Sequence, residues 1–245
     1  LHLLSRRQRQ MCIRDRHYLD EDADEVKEAV RMCREHKPMG ILFLGGNIQY
    51  FHEEFELVNV PCVLVTDRAD KLGFRNLASV STDDMAAAEM AVDYLFDHGH
   101  RDIAVIGGDM ALSSPSKYRK AGAKRSFIKH GCEFEEESYA VARFSYESAY
   151  NAMNRMLASK RSITAVFAMS DVMAVGAMRA IFDAGLRVPE DISVIGFDGT
   201  LLADYYNPKI VTVCQGYEKI ARKSIDLLFG MIDPVSYTHL TLPTT

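Results

Sequence analysis

The chain has 245 residues, 48% hydrophobic and 26% charged, with a formal net charge of −5. This is the composition of a folded globular protein with enough chain for a sizeable core, and it excludes collagen-like, disordered and disulfide-scaffold classes. No run of about 18 apolar residues occurs, so neither a membrane span nor a membrane partner is expected.

Charge is unevenly placed. Residues 1–16 carry five Arg and one Asp, residues 235–245 carry no charged side chain, and residues 17–234 hold 24 basic and 33 acidic side chains, a net −9. A basic arm on an acidic body would ordinarily suggest nucleic acid. Both ends, however, resemble translated sequencing-adaptor read-through and lack the periodicity and capping of the interior. Residues 1–16 and 235–245 are therefore expected to be non-native tails and are set aside in reading the fold. The Cys at 12, 33, 62, 132 and 214 form no C-x-x-C or zinc-site spacing; Cys33 and Cys62 sit in apolar contexts typical of reduced, buried thiols, which favours a reducing compartment.

The interior alternates helix and strand patterns. Asp22 and Glu25 form a D-x-x-E capping box for a helix running to about Glu35 and stopped by Pro38. Gly40–Leu44 reads as a buried parallel strand, Ile48–Val58 as a helix and Cys62–Val65 as the next strand. Thr82 or Asp83 caps a helix to His98, ended by Gly99. Ile103–Ile106 is a strand, and Pro115 opens a helix that ends at Gly131. Ser145 caps a helix with the apolar stripe Ala149, Ala152, Met153, Met156 and Leu157. Thr164–Ala168 is a strand, and Asp171 caps a helix to Ala184, closed by Gly185 with Pro189 beyond. Ile192–Ile195 and Val211–Val213 are strands, and a last helix spans about Glu218 to Phe229. The alternation predicts an α/β fold of doubly wound parallel sheets, two of them. In such sheets ligands sit beyond the carboxyl ends of the strands.

The residues after each strand are therefore the candidate site. Asp67 and Arg68 follow the CVLV strand, and Arg119 follows Gly107-Gly108-Asp109 and a Ser/Pro segment. Ser170 and Asp171 follow TAVFA, Asp198 closes ISVIGFD, and Gln215 and Tyr217 follow VTV. Carboxylates, an arginine, amides and aromatics suit a neutral, hydroxyl-rich ligand. Other roles stay open: Asp171 as a helix cap, Asp67–Arg68 as a surface ion pair, Arg119 as a solvated helix residue, Asp198 as a turn residue. The Gly-Gly pairs read as turns, since no dinucleotide or P-loop glycine motif is present. Neither G-x-S-x-G nor H-E-x-x-H occurs, and His98-Gly99-His100 lacks a third metal ligand. The Asp20–Glu25 acidic cluster reads as a solvated helix start. No enzyme activity, cofactor or metal is expected.

The stretches His98–Gly108 (HGHRDIAVIGG), Phe144–Tyr150 (FSYESAY) and above all Thr164–Asp198 resemble the lactose/galactose-repressor family of bacterial transcription regulators. The resemblance covers about residues 17–234. It implies the family's effector-binding core, with a type I periplasmic-binding-protein-like fold. Residues 17–109 and 214–234 would form an N-terminal subdomain lacking its first strand and helix, and residues 110–213 a C-terminal one, with a small metabolite, mostly a sugar, in the cleft between them. By motif, Arg119 would contact ligand hydroxyls, Phe144 would stack on the sugar and Asp198 would accept from hydroxyls. Gln215 and Tyr217 match the return crossover that lines the cleft, and Asp67 and Arg68 match a V-x-D-R motif at its edge. Ser170 stands where Asn usually precedes Asp171, Gly199 where a second Asp is frequent, and Ala123 replaces an aromatic.

The implied protein is a cytoplasmic, homodimeric repressor. Hinge closure on a sugar-like effector would control operator DNA binding by a helix-turn-helix domain outside this chain. The competing reading is a periplasmic sugar-binding protein of a transport system. Arg119→Ala is expected to abolish ligand binding while leaving the fold largely intact, because the residue reads as lying near a cleft and not in a core.

Overall fold

Two sheets, each fed by β–α units, organise the chain. The computed structural model describes residues 2–5, 14–20, 23–159 and 161–233. Residues 1–82 with 217–245 form a first unit and residues 83–216 a second.

The first unit begins with β1 (His2–Ser5), β2 (Arg14–Arg16), α1 (Glu25–Glu35), β3 (Pro38–Leu44), α2 (Ile48–Glu54), β4 (Cys62–Val65) and β5 (Leu77–Val80). Its strand order is β2-β1-β3-β4-β5. Strands β3, β4 and β5 are parallel, whereas β1 runs antiparallel to β2 and β3. The N-terminal segment set aside from the fold thus supplies two strands, His2–Leu4 opposite Leu42–Gly40. The physical reason is the edge of β3, whose N–H and C=O groups accept any extended partner. Residues 235–245 lie outside the described residues.

Asp22, the expected cap of α1, also lies outside them. Asp24 caps the helix, its Oδ1 accepting from the Val26 and Lys27 N–H groups at 3.1 and 3.0 Å. Helix α2 is shorter than expected and gives way to a 3₁₀ turn at Phe55–Leu57. That turn places Phe55 stacked on Phe51 at 5.3 Å, with Phe43 edge-on to Phe51 at 5.1 Å. Strand β4 is buried on both faces: Cys62 and Leu64 join the aromatic cluster, and Val63 and Val65 pack on the other side. This period-two alternation within an apolar run is what a central parallel strand requires.

The second unit holds α3 (Asp84–Asp97), β6 (Ile103–Gly107), α4 (Ser114–Lys129), β7 (Tyr139–Val141), α5 (Tyr146–Ala158), β8 (Ala165–Ala168), α6 (Asp171–Asp183), β9 (Ser193–Asp198), α7 (Leu201–Tyr205) and β10 (Val211–Cys214). Its sheet is parallel throughout, in the order β10-β9-β8-β6-β7. The chain then returns to the first unit as α8 (Tyr217–Ile232), which buries Ile220 and Leu228 against Val63 and Val65. Residues 83–109 were expected in the first subdomain. They lie in the second unit, because β6 pairs between β7 and β8 and α3 packs on α4.

Caps are local and mostly as expected: Asp83 for α3 and Ser145 for α5. Two shift by a residue. Ser113 caps α4, so Pro115 takes the second helical position, and Ser170, not Asp171, caps α6. Two glycines set the helix pairs. A Cβ on Gly122 of α4 would lie 2.1 Å from the Met85 carbonyl oxygen of α3, and one on Gly176 of α6 would lie 2.3 Å from the Tyr146 carbonyl oxygen of α5.

Candidate functional site

The carboxyl ends of the second unit's strands carry a cluster built around Asp198. Strand β9 delivers this residue with a φ of +118°, followed by Gly199 at +71°. A side chain is rarely accommodated there, so the turn must be held by its surroundings. The Gln215 N–H donates to the Asp198 carbonyl at 3.1 Å, and Gln215 Nε2 donates to Asp198 Oδ1 at 2.6 Å. Burial pushes the Asp198 carboxyl up to about 6, and the Asp171 charge adds to this. Arg119, Gln215 and the Asp171 N–H hold it back from going higher. Near that pH the group can accept from a hydroxyl as a carboxylate or donate as an acid.

Arg119 reaches this edge from α4, and it is only 4% exposed. Its Nε donates to Asp84 Oδ1 at 2.8 Å, and Nη1 donates to the Met169 carbonyl at the end of β8. The guanidinium lies 3.7 Å from the centroid of the Phe197 ring. Burial raises the Asp84 carboxyl, against the pull of Arg119. Phe144 is half-buried with its ring against Gly108, where a Cβ would lie 2.9 Å from it. The Gly108 N–H donates to Ser116 Oγ at 3.1 Å, and Tyr139 Oη donates to the Gly108 carbonyl at 2.6 Å.

Ser170 is buried and its Oγ accepts from the Met173 N–H at 3.1 Å. Asp171 is fully buried. Its Oδ2 accepts from the N–H and Oγ1 of Thr200, both at 2.7 Å, and its Oδ1 accepts from Thr212 Oγ1 at 2.5 Å.

The first unit carries the remaining candidates. Asp67 is buried after Thr66, which has a φ of +71°, and its Oδ1 accepts from the Arg68 N–H at 2.7 Å. The Arg68 side chain is exposed, and Nε bonds Asp70 at 3.2 Å. Arg68 thus forms a surface ion pair with Asp70, whose carboxylate the guanidinium fork can reach two residues on. Tyr217 opens α8 and is 41% exposed.

Four functional candidates were missed. Asp84 carries no motif of its own and sits beside the expected cap Asp83. Thr200 and Thr212 carry no motif. Glu25 was assigned to a capping box. In the structure it is 8% exposed, and its Oε1 accepts from the N–H of Asn47, the cap of α2. Burial, with the charges of Asp24 and Asp67, pushes its carboxyl up to about 7. The Gly45-Gly46 pair was the available signal, since a Cβ on Gly46 would meet Glu25 Oε1 at 2.5 Å.

A shallow cavity of about 100 Å³ lies at the opposite, amino-terminal edge of the second sheet, with Arg101, Ile103, Phe127 and Arg161 among its lining. None of the candidates above lines it. Among the described residues no helix is long and apolar enough to cross a membrane.

Known proteins resemble this chain in sequence and fold. A family profile described as "Periplasmic binding protein-like domain" matches residues 92–245. The HTH-type transcriptional regulator MalR of Clostridium butyricum is 35% identical over 212 residues, which is 85% of this chain. The chain spans 62% of that relative's length. The fold is similar to that of the transcriptional regulator CelR in its cellobiose complex, with a TM-score of 0.75 and 28% identity over 86% of this chain and 64% of the other. It is also similar to a sugar-binding transcriptional regulator of the LacI family from Escherichia coli complexed with phosphate, with a TM-score of 0.74 and 26% identity over 89% of this chain and 78% of the other. The chain therefore belongs to the periplasmic-binding-protein-like domain family.

Proposed function

We propose that this chain is the effector-binding core of a ligand-gated transcription regulator. It binds a small, hydroxyl-rich metabolite of the sugar class. That binding alters operator affinity through a helix-turn-helix domain outside the chain, with a coupling of about 1–3 kcal/mol typical of such switches. One observation carries this reading. A buried guanidinium, a carboxyl poised near pH 6 and an amide converge at the carboxyl end of one parallel sheet, at Arg119, Asp198 and Gln215. Those groups supply the donors and acceptors a polyol demands, and Phe144 adds an aromatic face. Asp67, Arg68, Ser170 and Tyr217 are assigned as further contacts. The net −9 of residues 17–234 disfavours direct binding to phosphate backbones, which assigns DNA contact to another domain.

The proposed role is binding without catalysis, in the cytoplasm, as a homodimer. Leu201 and Tyr205 stand one turn apart on α7, 75% and 87% exposed, and form an apolar pair suited to self-association. A two-fold dimer would match two operator half-sites. Sedimentation of Tyr205→Lys is expected to show monomer where the parent chain shows dimer.

Titration calorimetry against cellobiose, maltose, hexoses, pentoses, uronates and nucleosides tests the effector class. Binding of a sugar, lost in Asp198→Asn, supports the reading. Binding of none of these compounds overturns it.

A further inference from the structure

Asp171 stands at a strand end, where a ligand contact is expected, yet its carboxylate faces protein on every side. It is 0% exposed, and its two oxygens accept three hydrogen bonds from two residues on different segments. An ionised carboxylate only accepts, so the single hydroxyl proton of Thr212 must point at Asp171 Oδ1. That leaves a lone pair of Thr212 Oγ1 to accept from the Gly199 N–H, which it does at 3.2 Å. A directed chain thus runs from the Gly199 N–H through the Thr212 hydroxyl to Asp171, and a second link runs from the Thr200 N–H to the same carboxylate.

Gly199 and Thr200 are the two residues immediately after Asp198. Asp198 and Gly199 both have positive φ, a conformation that costs free energy at a residue with a side chain. The carboxylate gets close enough to hold them because β9 has no side chain at residue 196. A Cβ on Gly196 would lie 2.6 Å from Asp171 Oδ1. Charge-assisted hydrogen bonds of this kind are the strong ones in proteins.

We propose that Asp171 is a positioning residue and not an effector contact: through Thr200 and Thr212 it holds the Asp198–Thr200 turn in the conformation that presents the Asp198 carboxyl. The inference rests on the reading of Asp198 as an effector contact, but its test needs no effector.

Amide hydrogen exchange and carbon-13 NMR titration of the Asp198 carboxyl, assigned with Asp198→Asn, are followed in the full chain. Thr212→Val removes the hydroxyl at nearly constant shape, Thr212→Ser keeps it, and Asp171→Asn removes the charge. In Thr212→Val, exchange at Gly199 and Thr200 is expected to speed up about tenfold or more, as for loss of a hydrogen bond to a charged group. Thr212→Ser is expected to restore the parent rates. In Asp171→Asn the Asp198 midpoint is expected to fall from about 6, because a neighbouring like charge is gone. Val166 and Phe167 of β8 should exchange at parent rates in all three variants.

Equal behaviour of Thr212→Val and Thr212→Ser overturns the inference. So does an unmoved Asp198 midpoint, or acceleration in β8 equal to that at Gly199, which would mark a merely structural role. A chain that binds no sugar but shows the expected exchange pattern overturns the effector reading and leaves this one standing.

Discussion

Arg119 and Asp84 form a buried ion pair, Nε to Oδ1 at 2.8 Å, with side chains only 5% and 6% exposed. The pair links α4 to the first residue of α3. Its burial corrects the expectation that Arg119→Ala leaves the fold intact. That expectation placed Arg119 beside a cleft, whereas its guanidinium also bonds the Met169 carbonyl and covers Phe197. Removing one partner of a buried pair strands the other charge, at about 3–5 kcal/mol. Arg119→Ala is therefore expected to lower the unfolding free energy by about that amount in urea titrations, and to abolish effector binding. A loss below about 1 kcal/mol would show that Asp84 finds another partner or water. In the double variant with Asp84→Ala the losses should fall well short of additive, since each single change already breaks the same pair.

The helix pairs of the second unit rest on Gly122 and Gly176. Each lies mid-helix, where glycine is intrinsically poor, and each lets a neighbouring backbone carbonyl approach to within 2.1 and 2.3 Å of where a Cβ would stand. The obstacle is main chain, so no rotamer change relieves it. Gly122→Ala and Gly176→Ala are each expected to destabilise by about 1–3 kcal/mol despite the gain in helix propensity. Thermal melts of the two variants check this. An unchanged or raised Tm would mean that the helices separate at no cost.

What could be read in the sequence was what is decided locally. The caps at Asp83 and Ser145 and the apolar strands β4 and β6 depend on a few consecutive residues. Strands β5 and β7 went unread because Leu77–Val80 and Tyr139–Val141 are three or four residues long with no buried apolar run. Their neighbours in the sheet make them strands. Within the site, Asp198 and Gln215 could be named from position alone, since one ends a strand and the other follows one, whereas Arg119 lies in the second turn of α4, after the loop that leaves β6. The Arg119–Asp84 pair spans 35 residues and leaves no local trace. The role of Asp171 turned on a single residue: once Ser170 takes the cap, the Asp171 carboxylate is free to face Thr200 and Thr212.

Glu25 gives the first unit a pH dependence of defined sign. Burial, together with Asp24 and Asp67, raises its carboxyl from the ordinary 4.5 to about 7. A carboxyl raised in the folded state takes up its proton more readily folded than unfolded. Its contribution is thus full below pH 4.5 and is lost as pH rises through about 7. Asp198 acts in the same direction between 3.8 and about 6. Glu136 and Asp191, held down to about 2 by the side-chain hydrogen bonds of Lys120 and Lys124 and of Arg187, act in the opposite direction, but at lower pH. His100, held below the ordinary 6.5 by burial, acts against Glu25 and Asp198 within the same range, and with two raised carboxyls against one lowered imidazole stability is expected to fall between pH 4.5 and 7.5. Glu25→Gln keeps a carbonyl oxygen for the Asn47 N–H but removes the titration. It is expected to match the parent near pH 4.5 and to exceed it by of order 2 kcal/mol at pH 8. Urea unfolding at the two pH values decides the matter. Parallel pH profiles for parent and variant would show that Glu25 keeps its charge in the folded chain, because solvent or a cation reaches it.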